Sequence, residues 1–203
     1  MKIQVSEKNG SFDLAYINER NYVSFSSLKN LRDGISPNFN PDASFFKFGS
    51  ELHSRFLEKK KIETLSEDDE SLLYNMLNKL NETRMVTSLM KKAKVEVEIR
   101  TTVQGVPILG YLDIFKDRKY IADLKTTQTN TMKAFVNSLD FMQAALYQEA
   151  TGIDDFYYIG ICKKSPHDVM VFNVNSYPEI LNESKNELKQ LLSYVKKHSE
   201  FTK

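Results

Sequence analysis

Apolar residues recur along this chain in two rhythms, and the switch between them separates helical from extended stretches. Residues 43–60 carry Phe45, Phe48, Leu52, Phe56 and Leu57 at intervals of three and four, the stripe of an amphipathic helix. A second such helix starts at Ser66, which is followed by acidic residues, and runs to about residue 92 with Leu72, Leu73, Met76, Leu77 and Leu80 inward. The rhythm then changes to strands. Residues 94–103 and 107–116 flank Gln104-Gly105, and residues 119–124 follow a turn at Asp117-Arg118-Lys119. A helix spans residues 132–151 and stops at Gly152. Strands at 155–162 and 168–174 bracket Ser165-Pro166-His167, and an amphipathic helix closes the chain at 177–198. Upstream, Asn9-Gly10 predicts a hairpin over residues 2–17, Ser24 or Ser26 caps a short helix through about residue 30, and residues 33–42 read as a loop.

These elements alternate without a linker, an internal repeat or a low-complexity tract. The expectation is one α/β domain over residues 1–203, with the hairpin of residues 1–20 as an appendage. The single cysteine, Cys162, excludes an internal disulfide and a four-cysteine cluster, and it fits a reducing cytoplasm. No signal peptide and no membrane-spanning run is expected. Net charge is +1, which argues neither for nor against nucleic acid, because carboxylates gathered at a metal site offset basic residues in the total. Basic clusters at Lys59-Lys60-Lys61, Lys163-Lys164 and Lys196-Lys197 read first as solvated turns and helix ends.

The chemistry concentrates in the middle strands. Asp123 and Lys125 are two apart on one strand and so share a face. Folding the hairpin about Arg118 brings residue 116 to 120 and 113 to 123, which places Asp113 beside them. A D-x-K tripeptide alone is weak, but these charges interrupt strands that are otherwise apolar, where they need a partner or an ion. Two adjacent carboxylates repel unless a cation lies between them, and Mg²⁺ (or Mn²⁺) suits oxygen ligands while keeping waters. Lys125 can position or deprotonate an attacking water, or offset charge in the transition state. The Leu124 carbonyl is a candidate further ligand. Glu96 and Glu98 lie on the preceding strand; either can share the face of Asp113, and Glu98 is preferred, reaching the ion through water. On the first long helix Gly49 permits close approach of another backbone, and His53, four residues on, can reach the metal from the flank. Gln143 and Tyr147, also four apart, project side by side over the site, Gln143 to hold a phosphate or orient Lys125 and Tyr147 to contact phosphate or stack on a terminal base.

Taken in order, four segments resemble the PD-(D/E)XK nuclease superfamily in its RecB/RecE-like exonuclease branch. They are Ser24 to Lys29 with Ser36-Pro37, Phe48 to His53 with Leu57-Glu58, Gly110 to Asp113 with Asp123 to Thr127, and Gln143 to Tyr147. The resemblance implies a restriction-endonuclease-like core, a central mixed β-sheet flanked by α-helices, and Mg²⁺- or Mn²⁺-dependent hydrolysis of DNA. It implies His53, Asp113, Asp123 and the Leu124 carbonyl as metal ligands, Lys125 as catalytic, and Gln143 and Tyr147 assisting at the phosphate. A stand-alone phage-type exonuclease of recombination, repair or DNA processing is the nearest match. The resemblance also allows a homo-oligomer and a recombination or replication partner protein. A structure-specific endonuclease of the same fold, and a catalytically silent DNA-binding or assembly module, are the alternatives.

Overall fold

The computed structural model describes residues 20–35, 44–62 and 64–199, so the hairpin expected at residues 2–17 lies outside the described residues. Five strands form a mixed sheet in chain order: β1 (Lys94–Val103), β2 (Val106–Lys116), β3 (Tyr120–Thr127), β4 (Phe156–Cys162) and β5 (Val169–Asn173). All neighbours are antiparallel except β3 and β4, which are parallel. That parallel step needs a crossover, supplied by α5 (Met132–Ser138) and α6 (Phe141–Thr151). The remaining helices are α1 (Phe25–Asp33), α2 (Ser44–His53), α3 (Glu67–Glu82), α4 (Arg84–Met90) and α7 (Pro178–His198). This is the restriction-endonuclease-like α/β arrangement, with β3 at its centre.

Each face of the sheet carries its own apolar layer. Leu28 and Leu31 of α1, Phe135 of α5, most of α6 and Leu188, Leu191 and Leu192 of α7 cover one face. Leu52 of α2, Leu73, Met76 and Leu80 of α3 and Val86 of α4 cover the other, against Ile114, Ala122, Leu124 and Ile159. No helix of the described residues is long and apolar enough to cross a membrane.

Three helices expected to be continuous are interrupted, two of them by a residue whose side chain hydrogen-bonds the backbone at the break. The first long helix widens after His53 into a π turn over Ser54–Glu58 that ends at Lys59 in the left-handed region (φ 61°). The second breaks at Thr83, whose hydroxyl donates to the Lys79 carbonyl at 2.7 Å while its backbone turns extended. The third breaks at Asp140, whose side chain caps α6 by accepting from Met142 N–H. Asp140 is itself held by the Arg32 guanidinium at 2.7 Å, which ties the start of α6 to α1. Of the two candidate caps for α1, Ser24 is the one used, in a reciprocal box with Ser27.

Candidate functional site

The hairpin of β2 and β3 pairs as its turn chemistry predicts, Lys116 with Tyr120 and Ile114 with Ala122. There the ladder ends. One residue on, the Asp113 carboxylate accepts the Leu124 N–H at 2.8 Å, taking the place of a backbone carbonyl and opening the two strands. The same level is irregular on β1. Glu96 has φ 49°, and side chains before and after it pack on opposite faces of the sheet, Val95 on one and Val97 on the other. Asp113 separates Leu112 from Ile114 in the same way. Both carboxylates therefore sit at the pivot where the sheet reverses its faces.

Around this split the expected residues gather. Lys125 Nζ lies 2.7 Å from Asp123 Oδ2. His53, the last residue of α2, puts Nδ1 3.5 Å from Asp113 Oδ2 and hydrogen-bonds the Leu124 backbone. Burial holds His53 below the ordinary imidazole range, against the pull of Asp123, and so favours the neutral, metal-binding form. Burial and the neighbouring Asp123 push Asp113 well above the usual carboxylate range. Burial alone would lower Lys125, but Asp123 and Asp113 outweigh it and keep the ammonium charged.

Gln143 and Tyr147 adjoin this group from α6. Both are buried, on the face of the sheet toward which Asp123 also points. Gln143 donates to Asp123 Oδ1 at 2.8 Å, fixing that carboxylate rather than Lys125. The Tyr147 hydroxyl takes hydrogen bonds from Gln143 and from the Tyr111 backbone, and its ring stacks 6.4 Å from Phe156. Gly110 makes this possible: a Cβ there would lie 2.7 Å from the Tyr147 ring. The other glycine reading fails. A Cβ on Gly49 would meet nothing closer than Thr126 Oγ1 at 3.8 Å, so no backbone presses on it.

The preference for Glu98 is also corrected. Register pairs Glu98 with Tyr111, one step beyond the site, where its carboxylate accepts from the Tyr111 hydroxyl and from Arg100 Nε, each at 2.7 Å. Glu96 takes the position opposite Asp113 instead. Among the described residues, His53, Glu96 and Asp113 bring ligand atoms within 4.8 Å of one another. Burial, with Glu58 and Asp123 nearby, raises the Glu96 carboxyl. Glu58 was seen in sequence only as part of a motif; it joins Glu96, His53 and Asp113 in lining a cleft of about 530 Å³.

The donor set suits a hard divalent ion. It offers carboxylates and a neutral imidazole, and it is open to solvent on one side. Asp123 Oδ2 is buried and meets the Lys125 ammonium at 2.7 Å, so an ion pair holds this carboxylate beside the His53, Glu96 and Asp113 donors.

Comparison with known proteins agrees with this architecture. Residues 35–201 match the family described as a PDDEXK-like domain of unknown function (DUF3799). No curated protein matches the chain significantly. Among solved structures, a candidate exonuclease from Eubacterium rectale is similar over 98% of this chain and 89% of its own, at 17% identity and a TM-score of 0.63, which shows a shared fold. An alkaline exonuclease from Laribacter hongkongensis is similar over 94% and 95% of the two chains at 13% identity and a TM-score of 0.35.

Proposed function

The chain belongs to the PDDEXK-like family DUF3799, and from that membership we propose that it is a metal-dependent nuclease that hydrolyses phosphodiester bonds in DNA, working from ends as an exonuclease. The observation that carries the reading is the convergence of Asp113, Asp123, Lys125 and His53 at the split between β2 and β3. Like carboxylates crowded beside one lysine in a cleft open to solvent form a site built for a cation and an anionic substrate.

In this reading His53, Asp113, Asp123 and the Leu124 carbonyl hold Mg²⁺ or Mn²⁺, with Glu96 in the role first given to Glu98. The bound ion supplies a polarised phosphate and an acidified water. Lys125 stays protonated beside Asp123 and offsets charge that builds on the phosphate oxygens. Gln143 holds Asp123 in its orientation, and Tyr147 braces β2 from behind; both are positioning residues. Thr126 lines the same cleft, where its hydroxyl is available to a phosphate.

The whole chain of 203 residues acts as one nuclease domain in this reading. DNA is its partner, and the reducing cytoplasm is its location, in keeping with a single buried cysteine. A RecB/RecE-like role in recombination, repair or phage DNA processing follows from the sequence resemblance. End-labelled linear duplex and covalently closed circles, each incubated with Mg²⁺, test the proposal. Release of mononucleotides or short oligonucleotides from linear DNA with circles left intact is the expected result. Nicking of circles would replace exonuclease by endonuclease, and no cleavage of either would reject hydrolysis.

A further inference from the structure

Next to the carboxylates, on the same strand, lies a polar–aromatic surface that the hydrolytic chemistry leaves unused. Tyr111 precedes Asp113 by two residues, about 7 Å along a strand, and its side is 51% exposed although it sits in the middle of β2. The ring is fixed. Its hydroxyl donates to Glu98 Oε2 at 2.7 Å, the other oxygen of Glu98 takes Arg100 Nε at 2.7 Å, and the Tyr111 backbone N–H is tied to Tyr147 from behind. Glu98 thus orients an aromatic ring and a guanidinium together. Arg100 is 67% exposed, and Glu98 is its one ion-pair partner among the described residues.

A second aromatic–guanidinium pair stands alongside. Val23 bridges Ile108 of β2, with Val23 N–H donating to Pro107 O at 2.8 Å and Leu109 N–H to Val23 O at 2.9 Å. This contact carries Arg20 and Tyr22 against the same strand, where Arg20 Nη1 donates to the Tyr22 hydroxyl at 3.4 Å. Arg20, Tyr22, Arg100 and Leu109 line a hollow of about 300 Å³. Tyr22 lies close enough to Arg100 and Tyr111 to act on both electrostatically.

We propose that Tyr111, oriented by Glu98 and flanked by Arg100, Tyr22 and Arg20, is a stacking platform for an unpaired nucleobase of the strand whose phosphate reaches Asp113 and Asp123. Two features select this occupant. Aromatic faces beside guanidinium groups bind unpaired bases with their phosphates, because every base has a π face and each nucleotide carries one negative charge. Tyr111 is only two residues, about 7 Å, along the strand from Asp113, so the platform takes a base near the scissile linkage and not a distant one. A frayed or overhanging end offers such a base without the cost of unpairing it, and the site therefore prefers those ends to fully paired duplex. The inference rests on the nuclease reading only for what lies in the cleft.

The test uses the full chain with Asp123→Asn, so that DNA is not consumed, and oligonucleotide duplexes that carry 2-aminopurine in a short overhang. Stacking quenches this base. Binding is expected to quench the overhang probe; Tyr111→Ala removes the quenching and weakens affinity for overhang ends roughly tenfold, the scale of one base–aromatic stack. Tyr111→Phe retains the quenching, since the ring remains, and loses less affinity than Tyr111→Ala, since only the tie to Glu98 is gone. Because Tyr111 is exposed, circular dichroism of Tyr111→Ala should match the parent. Unchanged quenching and affinity in Tyr111→Ala overturn the platform. Wild-type hydrolysis with Mg²⁺ is followed in parallel. Quenching without hydrolysis keeps the platform and removes the nuclease reading, hydrolysis with a silent Tyr111→Ala does the reverse, and failure to bind any DNA overturns both.

Discussion

Two groups of carboxylates adjoin α2, and the protein treats them in opposite ways. Glu51, wholly buried, accepts Arg55 Nε at 2.5 Å and the Ile62 N–H at 3.0 Å. Arg55 in turn grips Glu70 with both terminal nitrogens, at 2.6 and 2.8 Å, and Lys61 adds a third contact at 2.8 Å. Two carboxylates meet two cations, and every arm of the network is a charge-assisted hydrogen bond. At the split between β2 and β3, three carboxyls (Asp113, Asp123, Glu96) face one ammonium, Lys125. The electrostatic result differs accordingly. Glu70 is pulled down to about 2 by Arg55 and Lys61, whereas burial and Asp123 push Asp113 up. A balanced cluster holds the fold together, and an unbalanced one is poised to take a cation.

The comparison breaks most sharply at Asp123. Asp123→Ala is expected to lower Mg²⁺-dependent DNA hydrolysis by about a thousandfold or more, at the upper end of the loss of a group that stabilises transition-state charge, as measured on end-labelled duplex. Unchanged rates would mean that the carboxylate does not serve the reaction. Gln143→Ala, which leaves the ligands but frees Asp123, should cost about 10- to 100-fold, and a rate within twofold of wild type would argue against its positioning role.

Stability should run the other way. Glu51→Ala removes the partner of Arg55 and of the Ile62 N–H, and it is expected to cost about 3 kcal/mol, a fall of about 6–12 °C in Tm for a chain of this size. Asp123→Asn, by relieving crowded charge, should leave Tm equal or higher. If Asp123→Asn proves the more damaging of the two, the contrast between the clusters is wrong. Addition of Mn²⁺ at a hundredfold excess over its Kd should stabilise wild type by about 2.7 kcal/mol and leave Asp123→Asn with much less, read as a shift of Tm.

The smallest effect concerns acid. Glu70 has a folded pKa of about 2 against an ordinary 4.5. Its contribution is therefore complete above pH 4.5 and is lost as pH falls through about 2. Glu70 is exposed, so solvent and salt screen the pair. Glu70→Gln should flatten the acid limb of the stability curve over that window, with little change at pH 7. An identical acid limb in both proteins would show that the pair adds nothing.

Much of this was legible in the order of residues. The spacing of Asp123 and Lys125 places both on one face, because consecutive side chains of a strand alternate. The turn at residues 117–119 fixes the pairing of 116 with 120 and so carries Asp113 toward Asp123. Four-residue spacing keeps Gln143 beside Tyr147 on one helix face, and the order of helices and strands follows from the two apolar rhythms, while the mixed sheet was implied by the family resemblance. All of these depend on neighbours within a few residues. What depended on distant parts of the chain was not legible. Glu96 replaced Glu98 because the backbone reverses its faces at Glu96 and Asp113, where α2 covers one side of the sheet and α6 the other. Gln143 and Tyr147 are buried beside Asp123 because α6 packs on that face of the sheet, and a periodic pattern identifies an apolar stripe without saying which layer will bury it. The Asp113 carboxylate enters the ladder in place of a carbonyl because two strands diverge there, a matter of how separate layers pack. Local geometry is written into a few adjacent residues, while burial and the balance of charge arise only when elements far apart in the chain close around the same point.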